Sequence, residues 1–366
     1  MVVNLTNNLP DTDGSGPLKA DPVSLLFFGQ EGVSNQEPVY EVTGDKSALR
    51  SFSAEAAPGG GSVTYTFTAW RPGTYYYHSG TYPHKQIDMG LIGGLIIRPA
   101  GYNPDLNKRA YSTDDSVYDR EYLLMLSAID PIQHNRVAEG LPYQASSYLP
   151  AYWFINGRSF PDTIAPDNAN YLPYQPMGSL VQMYPGERIL FRMVTLDRDV
   201  HPFHHHGNHA SVIAHNGRLL QSSTTTGMAD LAVERFTQTI HAGESFDAIY
   251  SWEGKDLGFD SYGHLAGDPL KPVESPLGHG ENLPLYIPDS STTGTDPIDP
   301  TLGLMYGEFY SGSPFLGKMG ELPSGHTSFN QAGEHYMMFH SHHEVELQNF
   351  DEGPGGILTQ IMILSH

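Results

Sequence analysis

Five histidines fall within nine positions at residues 201–209, HPFHHHGNH, in a chain that contains no cysteine. A second concentration, FHSHHE at 339–344, sets His340 and His342 two positions apart, as His204 and His206 are in the first run. Side chains at i and i+2 of a strand leave the same face. Each pair would therefore present two imidazoles together, with His205 turned away. Neutral imidazole binds copper and zinc alike, whereas the lack of thiolate removes zinc–cysteine sites, disulfides and thiol nucleophiles. A plainer reading stands beside the metal site, because histidines at strand ends also hydrogen-bond neighbouring loops.

The elements that must position these residues read as strands. Short alternating or apolar runs bounded by Gly, Pro, Asn and Asp recur along the chain, among them SVTYTFTAW at 62–70, GTYYYH at 73–78, ERILFRMVT at 187–195 and HYMMFH at 335–340. With 39 Gly, 28 Pro and 22 Tyr and few helical periodicities, the composition predicts an all-β sandwich or barrel rather than a helix bundle. An internal repeat organises it. Gly61 leads to Trp70 and Gly243 to Trp252, nine positions in each case, and His78 precedes Gly93 by 15 as His340 precedes Gly355 by 15. His78 is thus the first repeat's counterpart of His340. The Trp-to-His gap is 8 residues in the first copy and 88 in the second, so an insertion of 88 − 8 = 80 residues falls within roughly 253–332. We expect one domain over 1–110 and another over 111–366, joined through RPAGYNPDLNKRAYSTDDSV.

Charge and motif content narrow the function classes. The 366 residues carry 19 Lys plus Arg against 41 Asp plus Glu, a formal charge of −22 that repels nucleic acid and anionic membrane surfaces. No apolar stretch of about 18 residues predicts a membrane span, and MVVNLTNNLP lacks the basic and apolar regions of a signal peptide. No phosphate loop, GxSxG elbow or HExxH pattern supports a nucleotide or hydrolase reading.

HPFHHHG resembles the HPxHxHG motif of multicopper oxidases, FHSHHE resembles their HCH motif with serine for cysteine, and GTYYYHSG followed by MGLIGGLIIRP resembles a first-domain segment of the same family. The resemblance implies two cupredoxin-like Greek-key β-sandwich domains, close to the two-domain laccases and copper nitrite reductases, with copper as cofactor. It further implies a homo-oligomer, a trimer with copper at subunit interfaces, a small-molecule or metal substrate, and a periplasmic or extracellular location. Carried over position by position, His201 matches a type 1 copper ligand, His204 a type 2 ligand, and His78, His206, His340 and His342 type 3 ligands. His84 enters as a replacement ligand, since Ser79, His84 and Met89 repeat the Cys-x4-His-x4-Met spacing of a type 1 site with serine at the thiol position.

The departures decide the expected chemistry. The thiolate position is Ser341, and the family's later His and Met would fall on Glu346 and Asp351. A serine hydroxyl is hard and weakly acidic and cannot form the soft copper–thiolate bond of a blue centre. Aligning Gly29 with Gly207 puts Leu26 and Phe28 where the family carries an HxH pair, and Gly80 stands where a further histidine is expected. We therefore expect a copper-binding protein, with oxidoreductase chemistry at histidine-bound copper and no blue centre. A non-catalytic scaffold and a copper storage or delivery protein are the alternatives. Glu344, Glu346 and Asp88 are candidate oxygen ligands or proton carriers. VVNLTNNLP resembles an internal strand of a family first domain, so earlier strands, and further histidines, are expected from a preceding segment or another chain.

Overall fold

The computed structural model describes residues 1–10, 20–184, 186–225, 227–252 and 335–363, so the expected insertion at 253–332 lies outside the described residues. The protein is built almost wholly of strands. In the second half, one sheet has the order Arg218–Leu219, Ala210–His215, Glu244–Ser251, Arg188–Thr195, Arg120–Ile129, Tyr152–Ile155, with Val233–Arg235 also paired to Ala210–His215. The facing sheet runs Val181–Met183, Leu358–Ile363, His335–Ser341, His201–His205, Thr237–Ile240. Both contain a parallel pair, Arg120–Ile129 with Arg188–Thr195 and Val181–Met183 with Leu358–Ile363, within otherwise antiparallel ladders. Strands adjacent in a sheet but distant in sequence are the mark of Greek-key winding, and the architecture is the cupredoxin-like β-sandwich expected from the sequence.

Alternation explains the sandwich. Along His201–His205 the odd positions are buried and the even ones half-exposed, so Phe203 turns inward and stacks on Phe339 of the neighbouring strand at 4.0 Å between ring centroids. Phe191, Met193, Ala248 and Tyr250 meet them from the opposite sheet. Each such fully buried apolar side chain contributes roughly 1.5–3 kcal/mol.

The first half is smaller. It comprises Val2–Asn7 paired with Gly61–Thr66, the three strands Leu26–Phe27, Gly73–His78 and Ile92–Ile97, and a hairpin of Val39–Thr43 with Lys46–Ser51. Phe27, Tyr65 and Phe67 form its core. The two halves meet on Arg188–Thr195, which is buried from Ile189 onward because one face lies in the sandwich and the other is covered by the first half.

Arg192 stands in the middle of that strand at 0% exposure. Its guanidinium donates to Glu121 at 2.8 Å and to Thr74 Oγ1 at 2.8 Å, and it pairs with Asp247. Thr74 and Tyr111 also donate to Asp247, and Arg98 closes on Glu121. Burial alone would raise the Glu121 carboxyl, but Arg98 and Arg192 hold it down at about 2. A charge this deep persists only when it is paired; here the partners come from both halves, and one guanidinium nitrogen, Nη2, is left without a hydrogen bond among the described residues.

Candidate metal centre

The histidine pairs sit on directly opposed antiparallel strands. His204 lies across from His340, Phe203 from Ser341 and His205 from Phe339. Directly opposed residues of an antiparallel pair bring their side chains together on one face, so the even positions of one strand and the matching positions of its neighbour assemble four imidazoles. The ring centroid separations are 4.9 Å for His204–His206, 5.5 Å for His204–His340, 4.5 Å for His204–His342, 5.3 Å for His206–His340 and 4.8 Å for His340–His342. One nitrogen from each of His204, His340 and His342 lies within 4.8 Å of the others.

Hydrogen bonds at the far side of each ring set the tautomers. His340 Nδ1 donates to the Ser341 carbonyl at 2.7 Å, which leaves Nε2 as its lone-pair atom. That Nε2 faces His206 Nε2 at 3.2 Å. His204 Nδ1 meets Thr237 Oγ1 at 2.8 Å, and His342 Nδ1 meets Glu344 at 3.3 Å. Burial first, and then the neighbouring imidazoles, lower His204 and His206 to about 4, and burial lowers His340. His204, His206 and His340 are therefore uncharged at neutral pH, and their nitrogens converge. Two nitrogens facing each other across 3.2 Å need a proton or a cation between them, and the donor set suits copper or zinc.

The remaining sequence candidates lie elsewhere. His201 is on the same strand at the opposite parity, fully buried inside the sandwich. Its Nε2 meets Asp197 at 2.9 Å and its Nδ1 meets Glu346 at 2.9 Å. Both nitrogens are thus engaged by carboxylates, and neither has a lone pair to offer while the ring is charged. Burial opposes that charge, but the two carboxylates dominate and raise the imidazole to about 10. Glu346 also accepts from His343 at 3.1 Å. Ser341, at 0% exposure, accepts from the His343 amide at 3.0 Å.

His84 is exposed on the short helix Pro83–Gln86, with Tyr143 its neighbour at 6.1 Å. It is not brought to the quartet. Ser79 is buried and bonded to Gln86, so the second serine-for-thiol spacing does not form a ligand set in this arrangement. Asp88 is occupied by Arg198, at 2.6 Å, and by Tyr143.

His78 occupies the first half's version of the same locus. Leu26 pairs with His78 in the register in which His204 pairs with His340. His78 Nδ1 donates to the Ser79 carbonyl at 2.8 Å, as His340 does to Ser341. Phe28 replaces His206 and packs on the His78 ring at 4.7 Å. Among the described residues, His78 makes no ring contact or hydrogen bond with the four histidines. The first half thus retains the frame of the site with an apolar lining.

Gly29 and Gly207, at φ +73 and +95, occupy equivalent turns. A Cβ on Gly207 would meet Met337 Sδ and the Tyr250 hydroxyl. We expect Gly207→Ala to lower unfolding free energy by about 1–3 kcal/mol in denaturant titration, because the backbone conformation and the space both resist a side chain.

Sequence parity indicated that His205 faces inward, but not its surroundings. It is 5% exposed, boxed by Phe191, Tyr250 and Phe339, and lowered to about 3 by burial and then by His204 and His209.

Two multicopper oxidase family models match the chain, one over residues 49–101 and the other over 146–249. Among solved structures, the blue copper oxidase of Nitrosomonas europaea is 18% identical and superposes with a TM-score of 0.53 over 98% of this chain and 72% of that one. The multicopper oxidase mgLAC is 16% identical with a TM-score of 0.54 over the same shares, 98% and 72%. A Kuenenia stuttgartiensis protein named "Probable nitrite reductase-hydroxylamine oxidoreductase fusion protein" is 23% identical over 155 residues, 42% of this chain. The match spans 15% of that relative's length. Two matched models, a shared cupredoxin fold and a histidine face at the motif positions support a divergent multicopper oxidase-like protein.

Proposed function

We propose that His204, His206, His340 and His342 bind one or two copper ions and that the protein is an oxidoreductase whose substrate reacts directly at them, without a blue copper centre. The observation that carries this reading is the convergence of imidazole nitrogens, three within 4.8 Å of one another. Copper held there would accept and donate single electrons. The protein's own contribution is to fix the rings. Ser341 O and Thr237 Oγ1 hold His340 and His204 by their Nδ1 atoms, and the opposed strands set their spacing.

The position expected to carry the thiolate supports a route without electron relay, since Ser341 lies near a buried Asp197–His201–Glu346 cluster that already engages both ring nitrogens. As part of the same proposal, the chain assembles with copies of itself, as a trimer. His342 leaves 48% of its side chain exposed, so the quartet's mouth is open to a neighbouring copy, and His78 is the imidazole that such a copy would add.

Metal analysis of the purified native assembly, combined with oxygen-consumption assays, tests this. One or two coppers per chain with turnover is the expected result. Copper without turnover supports storage or delivery, and protein that takes up no copper rules the reading out. The copper-loaded protein is expected to show no intense absorption near ~600 nm, because that band requires a copper–thiolate bond. A strong band there would contradict the absence of a blue centre.

A further inference from the structure

One side of the second half's sandwich is open. Val233–Arg235 forms an edge of one sheet and Thr237–Ile240 an edge of the other, joined through Phe236. Directly opposed residues of an antiparallel ladder share a face. Arg235 opposes Ala210 and Gln238 opposes Phe203, both core residues, so Arg235 and Gln238 belong to the inner faces of their sheets. They line a cavity of about 350 Å³ between the two edges, with Val212, Leu220, Val233 and Phe246 as its apolar walls. That volume lies in the range of small-molecule sites, which combine apolar walls with a few placed polar groups.

Both polar groups have unused capacity. Arg235 is exposed, and its guanidinium makes no hydrogen bond or ion pair among the described residues. Gln238 gives its Nε2 to the Thr239 carbonyl at 3.1 Å, while its Oε1 is buried and receives no donor. No Asp or Glu lines the cavity. Glu244 is taken up by His215 at 3.2 Å and by the His241 amide at 2.9 Å. A planar guanidinium matches a carboxylate through two parallel hydrogen bonds, and a carbonyl oxygen requires an O–H or N–H. The chain's formal charge of −22 does not override this, because charges more than about 8 Å apart are screened at physiological salt.

The walls describe the rest of the ligand. His215 lies flat on Phe246, with 4.3 Å between ring centroids and 5° between planes, and gives the cavity an aromatic flank. Arg235 and Gln238 stand three residues apart where the chain passes from one sheet to the other, so the groups they recognise belong close together on the ligand. We propose that this cavity binds a small 2-hydroxy carboxylic acid with an apolar body, its carboxylate on Arg235, its hydroxyl donating to Gln238 Oε1, and its body against Leu220, Val233 and Phe246. The inference does not depend on copper. Thr237, the neighbour of Gln238, turns to the opposite face and bonds His204, so the cavity and the quartet lie on the two sides of one strand.

Binding of 4-fluoromandelate to the full-length chain, followed by ¹⁹F NMR, tests it. Saturable binding is expected, weakened about 10-fold or more in Arg235→Leu and about 5–10-fold in Gln238→Leu, the loss of a charged and of a neutral hydrogen bond. On the parent chain, the methyl ester should bind at least about 10-fold more weakly than the acid, and 4-fluorophenylacetate, which lacks the hydroxyl, about 5–10-fold more weakly. Gln238→Leu should bind 4-fluorophenylacetate as the parent does, because that ligand has no donor to lose. The proposal is overturned by equal affinity for acid and ester, by Gln238→Leu weakening both acids alike, or by no saturable binding, which would leave Arg235 as a guard of an open strand edge. The comparisons among ligands are made on the parent and hold whether or not a variant folds. Copper titration of the same preparations reports separately on the quartet, so failure of one reading is not mistaken for failure of the other.

Discussion

A His340→Ala chain is expected to bind copper at least on the order of 100-fold more weakly than the parent, since even the partners that orient a metal's ligands are worth about 10–100-fold in affinity. His340 is the residue of choice because it belongs to the converging trio and also opposes His206 Nε2 at 3.2 Å. Its removal leaves His204 without the imidazole that faces it across the ladder and His342 without its ring neighbour two residues before it. His209→Ala is the control. His209 lies in the same sequence run but is exposed and packs on Phe236 at 5.0 Å, outside the quartet, and its loss should leave affinity within about twofold. Competition against a chelator of known copper affinity measures both. Equal affinity of the parent and His340→Ala would remove the quartet from the copper site.

The second large effect concerns stability. His201→Ala should lower unfolding free energy by about 3–5 kcal/mol, because it strands two buried carboxylates, Asp197 at 5% exposure and Glu346 at 0%, that now share one imidazolium. Glu346→Gln should cost less, since Asp197 then still has the ring. The sign with pH follows from the direction of the shift. His201 is raised from 6.5 to about 10, so its contribution is complete below 6.5 and drains away as pH rises through about 10. Burial pushes Asp197 upward and opposes part of this gain, and His343 and Asp199 are the other titrating neighbours. Chemical denaturation of the parent and of His201→Phe between pH 6 and about 10 checks it. The parent should lose stability over that interval through this group, and the variant should lack that component. Parallel curves would show that His201 is not the charged centre of the cluster.

How much of this was legible in the sequence differs from residue to residue. The strand period of two put His204 with His206 and His340 with His342, and the antiparallel register that opposes His204 to His340, which parity does not encode, brings the two pairs together. The repeat spacing made His78 the counterpart of His340, and the structure shows the same pairing register in both halves, Leu26 with His78 and His204 with His340. His201 is the instructive miss. Motif likeness made it a metal ligand, whereas what decides its role is a pair of carboxylates, one four residues before it and one 145 residues after it. A contact of that separation leaves no periodic signal. Glu346 had been noted as an acidic neighbour of His342, but only the turn Glu344–Leu347 aims it inward. The interior position of Arg192, a cation flanked by apolar residues in mid-strand, was likewise invisible until both covering layers were in place.

That arginine makes each half answerable to the other. Thr74 from the first half and Asp247, Glu121 and Tyr111 from the second close around a single guanidinium, so taking the first half away would open ion pairs that are now sealed from water. The half that assembles no histidine quartet is thereby the lid over the other's charge.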